Sequence, residues 1–309
     1  MLIPIITGPT GVGKTDISIE IYNNYNVEII SADAFQVYKY MDIGTSKPDI
    51  NRLNQIPHHL INILEPDEHY SAGLFVEHAE KIIKSILNKG KLPLIVGGTA
   101  LYIDRLVNGI FNDIKVNDDI RTRIIAEGEE KGYEYLYKKL NELDSIYATK
   151  INKNDHVRII RALEVYEKFK KPYSAVLIEH NSKPKFRYKV FILQRDRKSL
   201  YKLVEERIDN MFNYGWIEEV AKLLNKGYSV NEHAFKAIGY REIADLIYGK
   251  NLLEETKNCI KKRTRNFVKR QCTFFKKLSY IEKVYDKNLI DNFFKKYYKS
   301  YEKSNLIEI

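Results

Sequence analysis

A chain of 309 residues with an ordinary apolar and charged content is long enough for one large domain carrying an insertion, or for two domains. No apolar run reaches the length of a membrane span, the first residues show neither a basic n-region nor a cleavage site, and Cys259 and Cys272 have no metal-ligand spacing with any histidine, so a soluble, reduced, cytoplasmic protein without a zinc site is expected. The net charge of +10 comes mainly from lysine; it reflects either a lysine-rich composition without consequence or a polyanionic partner, and the placement of the charge has to decide.

Leu2 to Thr7 is a short apolar run that predicts a strand, and Asp16 to Tyr22 has a helical pattern. Between them stands Gly8-Pro9-Thr10-Gly11-Val12-Gly13-Lys14-Thr15, the spacing of a phosphate-binding loop in the strand–loop–helix context such a loop needs. Glycine lets backbone N–H groups turn inward around an anion, the helix start adds the positive end of its dipole, Lys14 supplies a mobile charge, and the Thr15 hydroxyl suits Mg2+. Val27 to Ser31 predicts a second strand, which delivers Asp33 to the carboxyl edge of the sheet where α/β ligands bind. There Asp33 serves either as a cap for the turn that follows or as a catalytic carboxylate.

Met41 to Pro48 is a polar loop closed by proline, and His58 and His59 have no paired acid in view, which favours a structural role. A helix is expected from Ala72 to Leu87, capped by Ser71. Leu92 to Val96 is a buried-strand run that ends in Gly97, Gly98 and Thr99, so Thr99 falls near Asp33 as a helix cap or a site hydroxyl, and the glycine pair indicates that a ligand or another backbone comes close. From about Asn112 the strand–helix alternation stops. Residues 115–185 read as an all-helical insertion whose basic residues include Arg121, Arg123, Arg158 and Arg161, while residues 1–114 and 186–309 form the α/β core. Arg187 to Leu193 restores a strand, two helices follow, and Trp216 beside Gly215 is expected to pack. Arg241 stands just after a glycine turn, in reach of a phosphate on that side. From Leu253 to Leu278, Ile260, Thr264, Phe267, Gln271, Phe274 and Leu278 form a packing stripe, and Lys262, Arg265 and Lys269, flanked by Arg263 and Arg270, form a basic one. Charge gathered on one helix fits a phosphate-backbone partner better than drift in composition.

Taken together, Gly8–Thr15, Asp33–Tyr38, Met41–Pro48, Val96–Tyr102, Arg161–Val165, Ile238–Arg241 and Thr264–Gln271 resemble the bacterial tRNA dimethylallyltransferase family, in order and over nearly the whole chain to Leu278. The resemblance implies a P-loop NTPase-like parallel sheet with helices on both faces. It also implies transfer of a dimethylallyl group from dimethylallyl diphosphate to N6 of the adenosine 3′ of the anticodon, position 37 of tRNA. It assigns Gly8, Pro9, Thr10, Gly11, Val12, Gly13, Lys14 and Thr15 to the diphosphate, with Mg2+ as cofactor at Thr15, and Arg241 to the same diphosphate. Asp33 becomes the general base and Thr99 the hydroxyl that positions the adenine. The implied tRNA contacts are Asp33, Ala34, Phe35, Gln36, Thr99, Arg121, Val157, Arg158, Ile159, Ile160, Arg161, Thr264, Arg265, Asn266, Phe267, Val268, Lys269, Arg270 and Gln271. The chain departs from the family's usual Ser at Ala34, Gln at Asn266 and Trp at Phe274.

The residues suit that chemistry. Negative charge builds on a diphosphate leaving group, which loop N–H groups, Lys14, Arg241 and Mg2+ absorb, and a carboxylate takes the proton of a weakly nucleophilic amine. A small-molecule ATP kinase, a non-catalytic RNA-binding NTPase and a prenyltransferase for free adenine nucleotides are the rival readings. The basic helix argues against the kinase and the nucleotide prenyltransferase, and the want of a clear second acidic strand end against the NTPase. A monomer bound to one large RNA is the simplest state.

Overall fold

The computed structural model describes residues 2–111, 118–179, 181–278, 280–284 and 288–305. The chain forms two compact units, one of residues 1–107 and 185–309, the other of residues 108–184. In the first, strands and helices alternate as β1 (Leu2–Thr7), α1 (Lys14–Asn24), β2 (Val27–Ser31), α2 (Ile50–Gln55), β3 (His58–His59), α3 (Ala72–Asn88), β4 (Leu92–Gly97) and α4 (Ala100–Asn108). The second holds β5 (Ile110–Phe111), α5 (Asp118–Lys131), α6 (Tyr133–Leu143), α7 (Ser145–Ala148), α8 (His156–Phe169), α9 (Tyr173–Glu179) and β6 (Asn181–Ser182). The first unit then resumes with β7 (Arg187–Leu193), α10 (Arg197–Asn213), α11 (Trp216–Asn225), α12 (Tyr240–Ile247), α13 (Leu253–Lys276), β8 (Ile281–Val284) and α14 (Asn288–Asn305).

The first unit's sheet has six strands in the order β3-β2-β4-β1-β7-β8, and every pairing is parallel. Parallel strands buried on both faces favour continuous apolar runs; β1 and β4 come close to this, and β2 is buried throughout with Glu28 among its apolar residues. Ile6, Ile29, Leu94 and Phe191 face a core closed by Ile21 of α1, Val204 of α10, Val268 of α13 and Phe294 of α14. Their neighbours Ile5, Ile30 and Ile95 alternate to the other face and are equally buried, with α3 against β2 and β4 there. The order places the carboxyl ends of β2, β4 and β1 side by side, which brings the turn at Asp33, the Gly97-Gly98-Thr99 turn and the glycine loop to one edge.

Two strands of this sheet escaped the sequence pattern. β8 is an edge strand whose Glu282 and Lys283 break the apolar run, and β3 is two residues long. His59 on β3 has an acid partner after all: its Nε2 lies 2.8 Å from Oε2 of the buried Glu28. Burial pushes that carboxyl up, but His59, Lys91 and Lys89 outweigh it and hold it down at about 2. In the second unit, Ile124, Leu136, Leu140, Ile159, Ile160 and Leu163 make a separate helical core. This unit is not purely helical, because β5 and β6 pair antiparallel where the chain enters and leaves it. The expected boundary between residues 114 and 115 falls outside the described residues.

Candidate active site

The glycine loop joins β1 to α1 and leaves the start of that helix open. The N-cap is Gly13, in the left-handed region at φ 96°, and it makes no side-chain cap, so the first-turn N–H groups keep their anion-binding capacity. Lys14 folds back over the loop and donates from Nζ to the carbonyls of Gly8 and Pro9, both at 2.9 Å. Burial brings its ammonium down to about 8, against the pull of Asp33 and with the push of Arg207. Thr15 follows on the exposed side of the helix start.

The two oxygens of Asp33 have different surroundings. Its Oδ1 accepts the N–H groups of Phe35 (2.9 Å) and Gln36 (3.3 Å), which is the turn-capping role. Its Oδ2 has no hydrogen-bond partner among the described residues. Thr99 accepts the N–H of Ala34 on Oγ1 at 2.9 Å, tying the two turns together and leaving its own hydroxyl hydrogen to donate. The glycine pair is explained by close approach. A Cβ on Gly97 would lie 2.1 Å from the Ala32 carbonyl, and one on Gly98 3.1 Å from the Gln271 amide and 3.4 Å from both the Gly8 carbonyl oxygen and Lys14 Nζ.

The sequence pattern missed Arg207. Helix α10 presses on the glycine loop, where a Cβ on Gly11 would lie 2.8 Å from Val204, and Arg207 is one turn further along the same side. Its guanidinium is partly buried, and that burial works against its charge while Asp33 and Asp16 support it. The signal available in the sequence was an arginine bordering the stripe Leu200, Val204, Ile208 and Met211. Arg241, expected at the diphosphate, is exposed and donates from Nε to the Val230 carbonyl at 3.1 Å, with no interaction with Lys14 or Asp33 among the described residues.

The glycine turn before Arg241 is packed into the fold. Gly239 seats against the Trp216 indole, 2.2 Å from where a Cβ would stand, and the neighbouring Tyr240 donates to the buried Glu219 at 2.7 Å. Glu219 also accepts the N–H groups of Asp42 and Ile43 (both 2.7 Å) and Gly44 (3.2 Å). The Met41–Pro48 loop held this way returns its Thr45 and Ser46 carbonyls to the Gln36 side-chain amide, both at 3.3 Å, two residues short of the sheet edge at Asp33 and Ala34. Lys47, buried, completes the brace by an ion pair with Asp42 at 2.8 Å.

The residues expected to contact tRNA separate sharply. Ala34, Phe35 and Gln36 line the Asp33 turn and are partly buried. On α13, Lys262, Asn266, Lys269 and Arg270 are exposed, and Arg270 lies over the Phe267 ring with its guanidinium 5.9 Å from the centroid. Thr264 is partly buried, Arg265 is committed to Glu205 and Arg263 to Glu242. Val268 and Gln271 are buried and offer RNA no surface, because the packing stripe runs through Thr256, Ile260, Val268, Gln271 and Phe275 rather than through Phe274 and Leu278. In the second unit Val157 and Arg158 are exposed, while Ile159 and Ile160 belong to its core. Arg121 and Arg161 converge on the buried Glu164 at 2.9 and 3.1 Å, and Arg158 pairs with Asp155 at 3.1 Å.

The comparisons with known proteins agree on one family. Its model, described as IPP transferase, matches residues 36–278. A tRNA dimethylallyltransferase of Thermotoga neapolitana is 42% identical over 277 residues, 90% of each chain. The crystal structure of a full-length tRNA isopentenylpyrophosphate transferase from Bacillus halodurans superposes with a TM-score of 0.69 at 32% identity, covering 99% of both chains. A eukaryotic dimethylallyltransferase acting on tRNA gives 0.74 at 28% identity over 94% of this chain and 75% of that one. Matched by that model over most of its length and by such relatives nearly end to end, the chain belongs to the IPP transferases, the family of the tRNA dimethylallyltransferases.

Proposed function

We propose that the protein transfers the dimethylallyl group of dimethylallyl diphosphate to N6 of the adenosine at position 37 of tRNA, as a cytoplasmic monomer. The observation that carries this reading is a carboxylate with one free oxygen, Asp33, within the electrostatic reach of two cations, Lys14 and Arg207, at the mouth of a phosphate loop. The C–O bond to the diphosphate breaks and its electron pair stays on the leaving oxygen. The N6 lone pair forms the new N–C bond, and the N6 proton passes to Asp33 Oδ2. The loop N–H groups, Lys14 and Arg207 meet the charge that gathers on the diphosphate. Arg207 takes the place at the leaving group that the resemblance assigned to Arg241.

Thr99, whose hydroxyl hydrogen is free, orients the purine. The adenine leaves the anticodon-loop stack at a cost of about a few kcal/mol, and phosphate contacts to Lys262, Lys269 and Arg270 offset that cost. Mg2+ needs few protein donors when a diphosphate supplies the rest, and Thr15, with its hydroxyl, is exposed at the start of α1. Thr15 would hold it, and the ion would supply additional neutralisation of the leaving group.

A small-molecule kinase is the second reading, since the loop and Asp33 suit ATP equally, and α13 counts against it. The test is incubation with Mg2+, dimethylallyl diphosphate and unmodified tRNA, with ATP and small acceptors in parallel. A prenyl mass increment on one tRNA adenosine is expected, with no phosphorylated product. Asp33→Ala should slow turnover by about 10²- to 10⁴-fold while tRNA binding is kept. Phosphorylation of a small acceptor without prenylated RNA would reverse the choice.

A further inference from the structure

Among the described residues, Gln271 is the one side chain that hydrogen-bonds the basic helix to the phosphate loop. It stands on α13 between the exposed Arg270 and the half-buried Cys272, and only 6% of it is exposed. Its Oε1 accepts the Thr10 N–H at 3.0 Å, and its Nε2 donates to the Gly98 carbonyl at 2.8 Å. The partners fix the amide's orientation, because a backbone N–H only donates and a carbonyl only accepts. One amide therefore spans the loop that holds Lys14 and the turn that holds Thr99. The same point is packed tight: Gly98 has the Gln271 amide, the Gly8 carbonyl and Lys14 Nζ all around it, and Lys14 donates to that carbonyl. Val268, one turn back, anchors α13 in the core that also holds Val204 of α10, the helix against Gly11.

We propose that Gln271 is a positioning residue that couples the two substrates. RNA drawn onto Lys262, Lys269 and Arg270 holds α13 in place, and the Gln271 amide passes that order to Thr10 and Gly98. Occupancy of the RNA surface then raises affinity for the diphosphate, and the reverse holds by the same factor. This rests on the RNA reading above, and it assigns Gln271 to the joint between the sites instead of to the RNA.

The test compares inorganic pyrophosphate binding with and without an unmodified anticodon stem-loop RNA, by calorimetry. In the wild type, RNA should tighten pyrophosphate binding by about fivefold or more. Gln271→Met keeps the side-chain length and removes both hydrogen bonds; RNA should then change pyrophosphate affinity by less than about twofold, while RNA affinity alone stays near wild type. Gln271→Glu keeps the acceptor for Thr10 and loses the donor to Gly98, so its coupling should be intermediate, and it serves if the methionine variant does not fold. Lys269→Ala should weaken RNA binding and leave pyrophosphate affinity without RNA unchanged. Full coupling in both Gln271 variants, or RNA affinity that falls as it does for Lys269→Ala, overturns the proposal. If the wild type prenylates tRNA yet shows no coupling, only this proposal fails; if it binds no RNA, the functional reading fails with it.

Discussion

Asp33 caps a turn with one oxygen and leaves the other for the base role proposed above. A carboxylate has two oxygens, and the turn needs only one of them. The sequence could place Asp33 at a strand end but could not choose between cap and base; the structure shows the cap on Oδ1, and it leaves Oδ2 for the proposed role. Lys14 is the residue whose titration is open to measurement. Its ammonium, brought down to about 8 by burial, is charged below that pH and neutral above it. Diphosphate affinity should therefore hold steady up to pH 8 and then weaken, approaching about tenfold per pH unit. Isothermal titration with pyrophosphate on either side of pH 8 reads this directly, and Lys14→Arg, always charged, should flatten the profile while binding less well throughout.

At the scale of elements, the Met41–Pro48 loop is legible as a loop and illegible as to purpose. Its brace, Glu219, lies some 175 residues away on α11, and no local pattern reports a contact of that range. Glu219→Gln leaves a single acceptor oxygen for four donors, so at least one partly buried N–H loses its partner. A loss of about 1–3 kcal/mol in denaturant unfolding is expected. A fall in kcat should accompany it, since Gln36 beside Asp33 hangs on that loop. Unchanged kcat in a destabilised variant would confine Glu219 to the fold. Helix α13 carries a different lesson. Of the residues stepped at three and four from Ile260, only Ile260 and Gln271 are buried, and the rest of the buried face is Thr256, Val268 and Phe275. Strand β8 was hidden because an edge strand tolerates the charges that a central one does not.

For the whole molecule, the net charge of +10 counts cations without saying which are already answered. Arg121, Arg123, Arg158 and Arg161 all have acidic partners inside their own unit, and Arg265 has Glu205. Lys262, Lys269 and Arg270 have none among the described residues. Lys269→Ala should weaken tRNA binding and lower the slope of log affinity against log salt by about one, measured by filter binding over a salt series. Arg265→Ala should instead lower the melting temperature and leave the salt slope near wild type. Strands β1, β2, β4 and β7 and the loop could be read from apolar runs and glycines, which act locally; the pairing of charges is a property of the folded surface.

The short ribbon of Ile110–Phe111 with Asn181–Ser182 has a consequence of its own. Backbone bonds fasten the outgoing and returning strands to each other, so the second unit is closed off at its own entry and exit. An insertion or deletion between those two strands leaves the hydrogen-bonded register of the six-stranded sheet as it is.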